Sequence, residues 1–297
     1  MLDYASLKAL TAVVRHGSFD RAARELSVTP SAVSQRIKLL EERMGSVLVK
    51  RGQPCIATPS GALLCQHAER VQLMEAELGA RLPSMPGSVA TVKPSFHIAV
   101  NDDSLSTWFL ESVSDFCVER EILLDLVIDD QDHTVELIRH GSVQGAITTQ
   151  SDPVQGWKST HLGKMRYLAV CSPDFFVRHF SDGISKSSLS KAPQVNFNSK
   201  DELQKRFIQR ITRGSIDASV HQVPHGMGFL RACTSGMAWG MCPSLMVEPL
   251  LDCGKLVELN PAINLEVDLY WQSWKVSIKW LDDFGMLLAK RAAEELA

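Results

Sequence analysis

Long apolar runs are absent from this chain of 297 residues. No run of about 18 apolar residues occurs, so we expect no membrane-spanning helix and no membrane partner. The N-terminus also lacks a basic segment followed by an apolar one, which is the pattern of a secretion signal. We therefore expect a cytoplasmic protein.

The cysteines form no recognisable framework, because they are scattered, odd in number and include no C-x-x-C pair. The seven are Cys55, Cys65, Cys117, Cys171, Cys233, Cys242 and Cys253. This pattern favours reduced, buried thiols over a disulfide scaffold or a zinc site, and we expect no metal. A thiol switch stays open, since it would need two of these residues close together in space.

Motifs of common enzymes are missing as well. The chain contains no G-x-S-x-G, H-E-x-x-H, P-loop or G-x-G-x-x-G sequence. Its histidines stand apart from any nucleophile motif. We therefore expect that the protein is not an enzyme and binds no cofactor. A solute-binding protein remains an alternative, although such a protein would need to be exported.

Charge is distributed unevenly along the chain. The net charge is −3, but the first sixty residues carry nine basic and five acidic side chains, a net charge of +4. The remaining residues therefore carry −7. A basic N-terminal part on an acidic body is typical of a protein in which only that part touches phosphate.

The segment Ser18 to Glu42 has the pattern of two short helices joined by a tight turn. Ser18 is a good N-cap for the first helix, and Thr29 with Pro30 is a favourable start for the second. The second helix has an apolar face and a face that is small and polar at first and basic later. Such a face can enter the major groove of DNA. An amphipathic helix pair from an unrelated bundle would show a similar periodicity.

A short hairpin is predicted after this segment. Strands at 48–51 and 55–57 flank Gly52-Gln53-Pro54, which forms the wing of a winged helix-turn-helix. Lys50 and Arg51 would then lie beside DNA phosphates. A solvated hairpin tip is the alternative interpretation.

The sequence AARELSVTPSAVSQRIKLLEERMGSVLVKR resembles the N-terminal domain of LysR-type transcriptional regulators. The resemblance implies an all-α winged helix-turn-helix head with a long linker helix, followed by a two-lobed α/β effector domain like type II periplasmic binding proteins. The implied DNA-binding residues are Thr29, Pro30, Ser31, Ser34, Gln35, Lys38, Lys50 and Arg51. Pro30 stands where relatives carry Gln, so we expect a different operator preference.

We expect four parts along the chain. They are a head (1–58), a linker helix (59–82), a Pro/Gly/Ser hinge (83–91) and an effector domain (92–297). Lobe I of that domain would comprise about 92–164 and 268–297, and lobe II about 165–267.

The linker helix has a loose apolar stripe, and pairing with the same helix of a second chain would give a homodimer or homotetramer; packing against the body is the alternative. Promoter DNA is the expected partner, and RNA polymerase is a further candidate.

In the body, predicted strands alternate with predicted helices, which indicates an open α/β sheet. One helix is predicted over 104–120 and another over 132–140. Ligands of such sheets bind beyond the carboxyl ends of the strands. The residues expected to bind an effector there are Asn101, Asp103, Ser104, Leu105, Thr107, Trp108, Asp129, Asp130, Phe197, Asn198 and Met227. Solvated helix caps are the alternative for the aspartates.

Hydroxyls and a helix N-terminus would suit a carboxylate, and the carboxylates would suit an amino group, so the pattern fits an amino acid. The segment from Ala99 to Trp108 also resembles the ArgP/LysG subgroup of LysR-type regulators, which respond to lysine and arginine. Asn198 and Met227 depart from acidic residues found in that subgroup. A different amino acid, or no effector, is therefore an alternative.

Overall fold

The computed structural model describes residues 2–81, 93–128, 136–138 and 142–296. The predicted hinge, Asp129, Asp130 and most of the predicted helix over 132–140 lie outside these ranges. Within them, no helix is long and apolar enough to cross a bilayer.

The head is built from three helices and a two-stranded wing. Its elements are α1 (Tyr4–His16), α2 (Phe19–Glu25), α3 (Pro30–Met44), β1 (Val49–Lys50) and β2 (Ile56–Ala57), followed by the long helix α4 (Pro59–Arg81). The Thr29 hydroxyl accepts from Ala32 N at 3.2 Å and thereby caps α3, as the sequence predicts. Gly45 ends α3 with a φ of +64°.

The wing is attached to α3 by one carboxylate. Leu48 N donates to Glu41 Oε1 at 2.8 Å, and Val49 N donates to the same oxygen at 3.3 Å. Leu48 and Val49 are buried in the head core. The hairpin therefore has a fixed position beside the end of α3.

The second part of the chain is an α/β domain. Its elements are β3 (Ser95–Val100), α5 (Asp102–Ser106), α6 (Phe109–Glu119), β4 (Leu123–Ile128), β5 (Gly145–Thr148), β6 (Trp157–Cys171), α7 (Pro173–Phe180), α8 (Lys186–Lys191), β7 (Gln194–Asn196), α9 (Leu203–Thr212), β8 (Val220–Gln222), α10 (Gly226–Thr234), β9 (Gly240–Pro243), α11 (Ser244–Asp252), β10 (Val257–Glu258), β11 (Asn264–Trp274) and α12 (Lys279–Glu295).

Two long antiparallel strands, β6 and β11, connect the two halves of this domain. The main sheet has the order β10-β6-β11-β5-β3-β4, and β9 also pairs with β6. The half with β3, β4 and β5 is here called the first lobe. The half with α7 to α11 is called the second lobe. The register of β6 and β11 shifts between Leu269 and Tyr270, midway along the pair.

The helix predicted over 104–120 is wrong as a single element. The chain instead forms α5 and α6, separated by Thr107 and Trp108. Thr107 has a φ of −118° and a ψ of −87°, which no α-helix accommodates. Its hydroxyl donates to Asp103 O at 2.6 Å. The buried indole of Trp108 packs in the domain core after this break.

Candidate functional site

A cavity of about 950 Å³ lies between the two lobes. Its floor includes Tyr167 on β6 and Val267 and Leu269 on β11, close to the register shift of those strands. Residues at the ends of β3 and β7 reach it from opposite sides. The cavity is therefore positioned by the two strands that both lobes share.

Four of the predicted effector-binding residues line this cavity, namely Asn101, Asp103, Phe197 and Asn198. They follow β3 and β7, which agrees with the rule that ligands bind beyond the carboxyl ends of strands. Asn101 Oδ1 is buried and accepts no hydrogen bond among the described residues. This oxygen therefore has unused hydrogen-bonding capacity beside the cavity.

Five other predicted residues do not line the cavity, so a direct contact with a ligand there is not supported for them. They are Ser104, Leu105, Thr107, Trp108 and Met227. Ser104 and Trp108 are buried inside the first lobe, where α5 and α6 pack on the sheet. Thr107 uses its hydroxyl within its own turn. Met227 is 45% exposed outside the cavity lining.

Asp103 lies at the centre of the polar lining. The Tyr167 hydroxyl donates to Asp103 Oδ2 at 2.6 Å. Burial raises the pKa of Asp103 to about 6, and the Tyr167 hydrogen bond opposes that shift. An ionised Asp103 is therefore costly in this cavity, and a bound cation would offset that cost.

Asp201 organises the second-lobe side of the cavity. Its carboxylate accepts from Phe197 N at 2.9 Å and from Leu203 N at 3.1 Å. Burial raises the pKa of Asp201, and these two backbone hydrogen bonds lower it. Arg206, on α9, adds a cation to the lining.

The sequence interpretation missed Tyr167, Asp201 and Arg206. Asp201 could have been predicted from the rule that ligands bind beyond the carboxyl ends of strands, because it closely follows β7. No local signal marks Tyr167, which points into the cavity only because β6 is long and shared between the lobes.

The cysteines include one close pair. The hydrogen bond to Cys233, followed by burial, raises the pKa of the Cys242 thiol well above its usual range. A thiol with a raised pKa is a poor nucleophile toward oxidants. The described His, Cys, Asp and Glu residues form no group that could hold a metal ion.

The second candidate site is the polar face of α3 with the wing. Ser31, Gln35 and Lys38 are exposed along α3, and Thr29 and Pro30 are exposed at its start. Ser34 is half-buried, because the Arg51 guanidinium donates to its hydroxyl at 3.4 Å. Lys50 and Arg51 are both exposed. The structure thus places the eight predicted DNA-binding residues on α3 and the adjacent wing.

Arg51 is held from two sides. Besides its hydrogen bond to Ser34, its guanidinium carbon lies 5.1 Å from the centre of the Phe19 ring. This places a fixed cation next to the α3 face, whereas Lys38 pairs with Glu42 at 3.7 Å on that helix.

Two family models match this chain. Residues 4–62 match the bacterial regulatory helix-turn-helix protein model of the lysR family, and residues 90–278 match the LysR substrate binding domain. The first match covers the head, and the second covers the lobes and the cavity between them.

Among curated relatives, the HTH-type transcriptional regulator LysG of Mycobacterium tuberculosis is 45% identical over 276 residues, covering 93% of this chain and 88% of LysG. The HTH-type transcriptional regulator ArgP of Pseudomonas aeruginosa is 39% identical and covers 100% of this chain and 98% of ArgP. Both names designate regulators rather than enzymes.

Two solved structures share the architecture. The crystal structure of ArgP from Mycobacterium tuberculosis has a TM-score of 0.83 and 41% identity, covering 99% of this chain and 98% of the other. Full-length LysG from Corynebacterium glutamicum with bound effector arginine has a TM-score of 0.73 and 34% identity, covering 99% of both chains.

Proposed function

This chain belongs to the LysR family of bacterial regulatory helix-turn-helix proteins, and on that premise we propose that arginine or lysine, bound between the lobes, controls its action at promoters. It is a DNA-binding transcriptional regulator.

The observation that carries the proposal is a pair of acceptors on the first lobe. Asp103 lines the cavity with a carboxylate that burial makes costly to ionise, and Asn101 Oδ1 is buried without a partner among the described residues. Both groups would gain from a donor that carries positive charge. An ammonium or guanidinium group of the effector supplies that donor.

The second lobe supports the other end of the same ligand. Arg206 and Lys200 line this side, and Asn198 contributes an amide. A carboxylate would pair with these cations, so the cavity is matched to a zwitterion with an additional positive group. The LysG relative with bound arginine, 34% identical to this chain, supports the same class of effector.

A neutral amino acid is the second candidate, and a specific observation favours it. Much of the lining is apolar, including Phe229, Leu230, Met241 and Met246. Neither Asn198 nor Met227 supplies the acid that the subgroup resemblance would place there. Leucine or methionine would bury its side chain against this apolar wall.

At the other end of the molecule, we propose that the exposed face of α3 reads base edges and that Lys50 and Arg51 contact phosphates. A homodimer or homotetramer would present two or more heads to one promoter, which raises specificity. RNA polymerase is a candidate contact at the promoter, and the cytoplasm is the compartment in which this DNA is reached.

Calorimetric titration of the full chain with arginine, lysine, leucine and methionine tests the proposal. We expect arginine or lysine to bind and the Asp103→Asn variant to bind at least tenfold more weakly. Tighter binding of leucine or methionine would establish the second candidate. No binding by any of the four would overturn both.

A further inference from the structure

Helices α5 and α10 approach each other across the cleft between the lobes. Gly226 N, at the start of α10, donates to Asp102 Oδ2 in α5 at 2.7 Å. The two residues are 124 positions apart in sequence, and each belongs to a different lobe. This hydrogen bond therefore exists only when the lobes are close together.

The N-terminus of α10 needs an acceptor for Gly226 N. His225 is the N-cap of this helix, and its Nδ1 accepts from Gly228 N at 3.0 Å. The first N–H groups of a helix have no partner within the helix and favour negative charge. The Asp102 carboxylate supplies an acceptor and a negative charge at this helix end. The contact is therefore a charge-assisted hydrogen bond.

Glycine at position 226 leaves room for the Asp102 carboxylate. A Cβ built on Gly226 would overlap Asp102 Oδ2 and would lie 3.4 Å from Ser106 Oγ. Any other residue would displace the Asp102 carboxylate from this position. The close approach at Gly226 and the hydrogen bond thus involve the same carboxylate oxygen of Asp102.

We propose that the Asp102–Gly226 hydrogen bond is a latch that holds the two lobes closed. Asp102 is then a positioning residue, which strengthens effector binding by increasing the fraction of closed molecules. This second statement rests on the proposed function, because it needs an effector that touches both lobes. The first does not depend on any effector.

The effect on affinity follows from the population of closed molecules. A ligand that contacts Asp103 on one lobe and Arg206 on the other binds only when both are in place. Its apparent affinity is the affinity of the closed form multiplied by the fraction of molecules that are closed. Removing the latch therefore weakens binding while Asp103 and Arg206 stay in place. Because Asp102 and Gly226 also line the cavity, the exchange experiment is needed to separate the latch from a direct contact between Asp102 and the ligand.

The latch itself is tested by hydrogen exchange at the Gly226 amide in the effector-free full chain, read at single-residue resolution by mass spectrometry. We expect Asp102→Ala to accelerate exchange at Gly226 by at least tenfold. Asp115→Ala, which removes an exposed carboxylate from α6 in the same lobe, is the matched control and should leave Gly226 unchanged. Equal exchange in Asp102→Ala and wild type would overturn the latch.

The effect on the effector is tested by arginine titration of the same variants. We expect Asp102→Ala to bind about tenfold more weakly, which corresponds to about 1.4 kcal/mol. Unchanged or tighter binding would overturn the positioning role, and tighter binding would show that Asp102 competes with the ligand for α10. If the wild type binds neither arginine nor lysine, the proposed function fails, and the exchange experiment still decides the latch.

A double-mutant cycle distinguishes loss of the Asp102–Gly226 contact from a general folding defect. Gly226→Ala should weaken arginine binding in the wild-type background, because the new methyl group meets the Asp102 carboxylate. The same change should have a much smaller effect in the Asp102→Ala background. Equal effects in both backgrounds would contradict a direct contact between the two positions.

Discussion

The Tyr167 hydroxyl donates to Asp103 Oδ2 at 2.6 Å and so joins the shared strand β6 to the first lobe at the floor of the cavity. Burial is the largest influence on Asp103 and raises its pKa to about 6. The carboxyl group of the proposed cation site therefore titrates within a range that is accessible to experiment.

Effector affinity should depend on pH through this group. Because a cation binds the ionised carboxylate, we expect arginine affinity to fall as the pH drops from about 7 to about 5. Asp103→Asn should bind weakly and lose this dependence. Calorimetry at four pH values checks this, and a wild-type affinity that is constant over that range would show that Asp103 does not bind the cation.

The raised pKa of Asp103 also predicts that folding stability decreases as the pH rises, whereas arginine affinity increases. The folded-state pKa lies above the ordinary value of 3.8, so the folded protein binds more protons between about pH 4 and 6. Asp103 therefore contributes a loss of stability as the pH rises through that window. Without effector, Asp103→Asn should lessen this loss, as followed by thermal unfolding.

Glu69, on α4, is a second carboxyl group with a raised pKa, and it lies at the junction between the head and the α/β domain. Burial raises its pKa to about 7, while Arg15 of the head and Gln144 of the first lobe oppose the shift and Asp125 adds to it. Its Oε2 has no hydrogen-bond partner among the described residues. Ionisation of Glu69 is therefore unfavourable in the folded protein.

We expect Glu69→Gln to raise the melting temperature at pH 8 and to change it little at pH 5. The folded protein keeps the proton on Glu69 below about pH 7, so stability is lost as the pH rises from about 4.5 to 7. Glu75→Gln, at an exposed position of the same helix, is the control. A melting temperature that shifts equally at both pH values would contradict this assignment.

Base reading should depend on Gln35, which is exposed on α3. If its amide contacts a base edge, Gln35→Ala should reduce the difference in binding free energy between operator and random DNA by about 1–3 kcal/mol. Competition binding with both DNAs measures this difference. An equal loss on the two DNAs would assign Gln35 to the phosphate backbone instead.

The wing should contribute affinity that is independent of sequence. Lys50→Ala should weaken binding to operator and random DNA alike and reduce the slope of log affinity against log salt by about one. Lys255→Ala removes the same charge from an exposed position outside the head and should leave the slope unchanged. A wild-type slope in Lys50→Ala would exclude Lys50 from the phosphate contacts.

Much of the head could be predicted because its signals are local. The α1 helix ends at Gly17, which has a φ of +61°, and Thr29 with Pro30 starts α3 as expected. Such signals depend on neighbouring residues alone. The hydrogen bonds from Leu48 and Val49 to Glu41 could not be predicted, because they join positions seven and eight residues apart through the tertiary fold.

The site was harder to predict because it depends on distant pairing. The strand β6 extends over Trp157–Cys171, well beyond its continuous apolar end at 168–171. Its first half carries charged residues such as Lys164, which pairs with Glu266 of β11 at 3.0 Å. The sequence of β6 alone does not show that pairing, so Tyr167 was not recognised as part of the cavity floor.

In the proposed function, an amino acid bound between the lobes changes how the heads engage DNA. The most direct measurement is the affinity of the full chain for a selected promoter fragment, with and without saturating arginine, in the wild type and in Asp103→Asn. We predict a change of about 1–3 kcal/mol in the wild type, none in the variant, and equal binding of both proteins without arginine. A wild type that ignores arginine, or a variant that responds equally, would contradict the account.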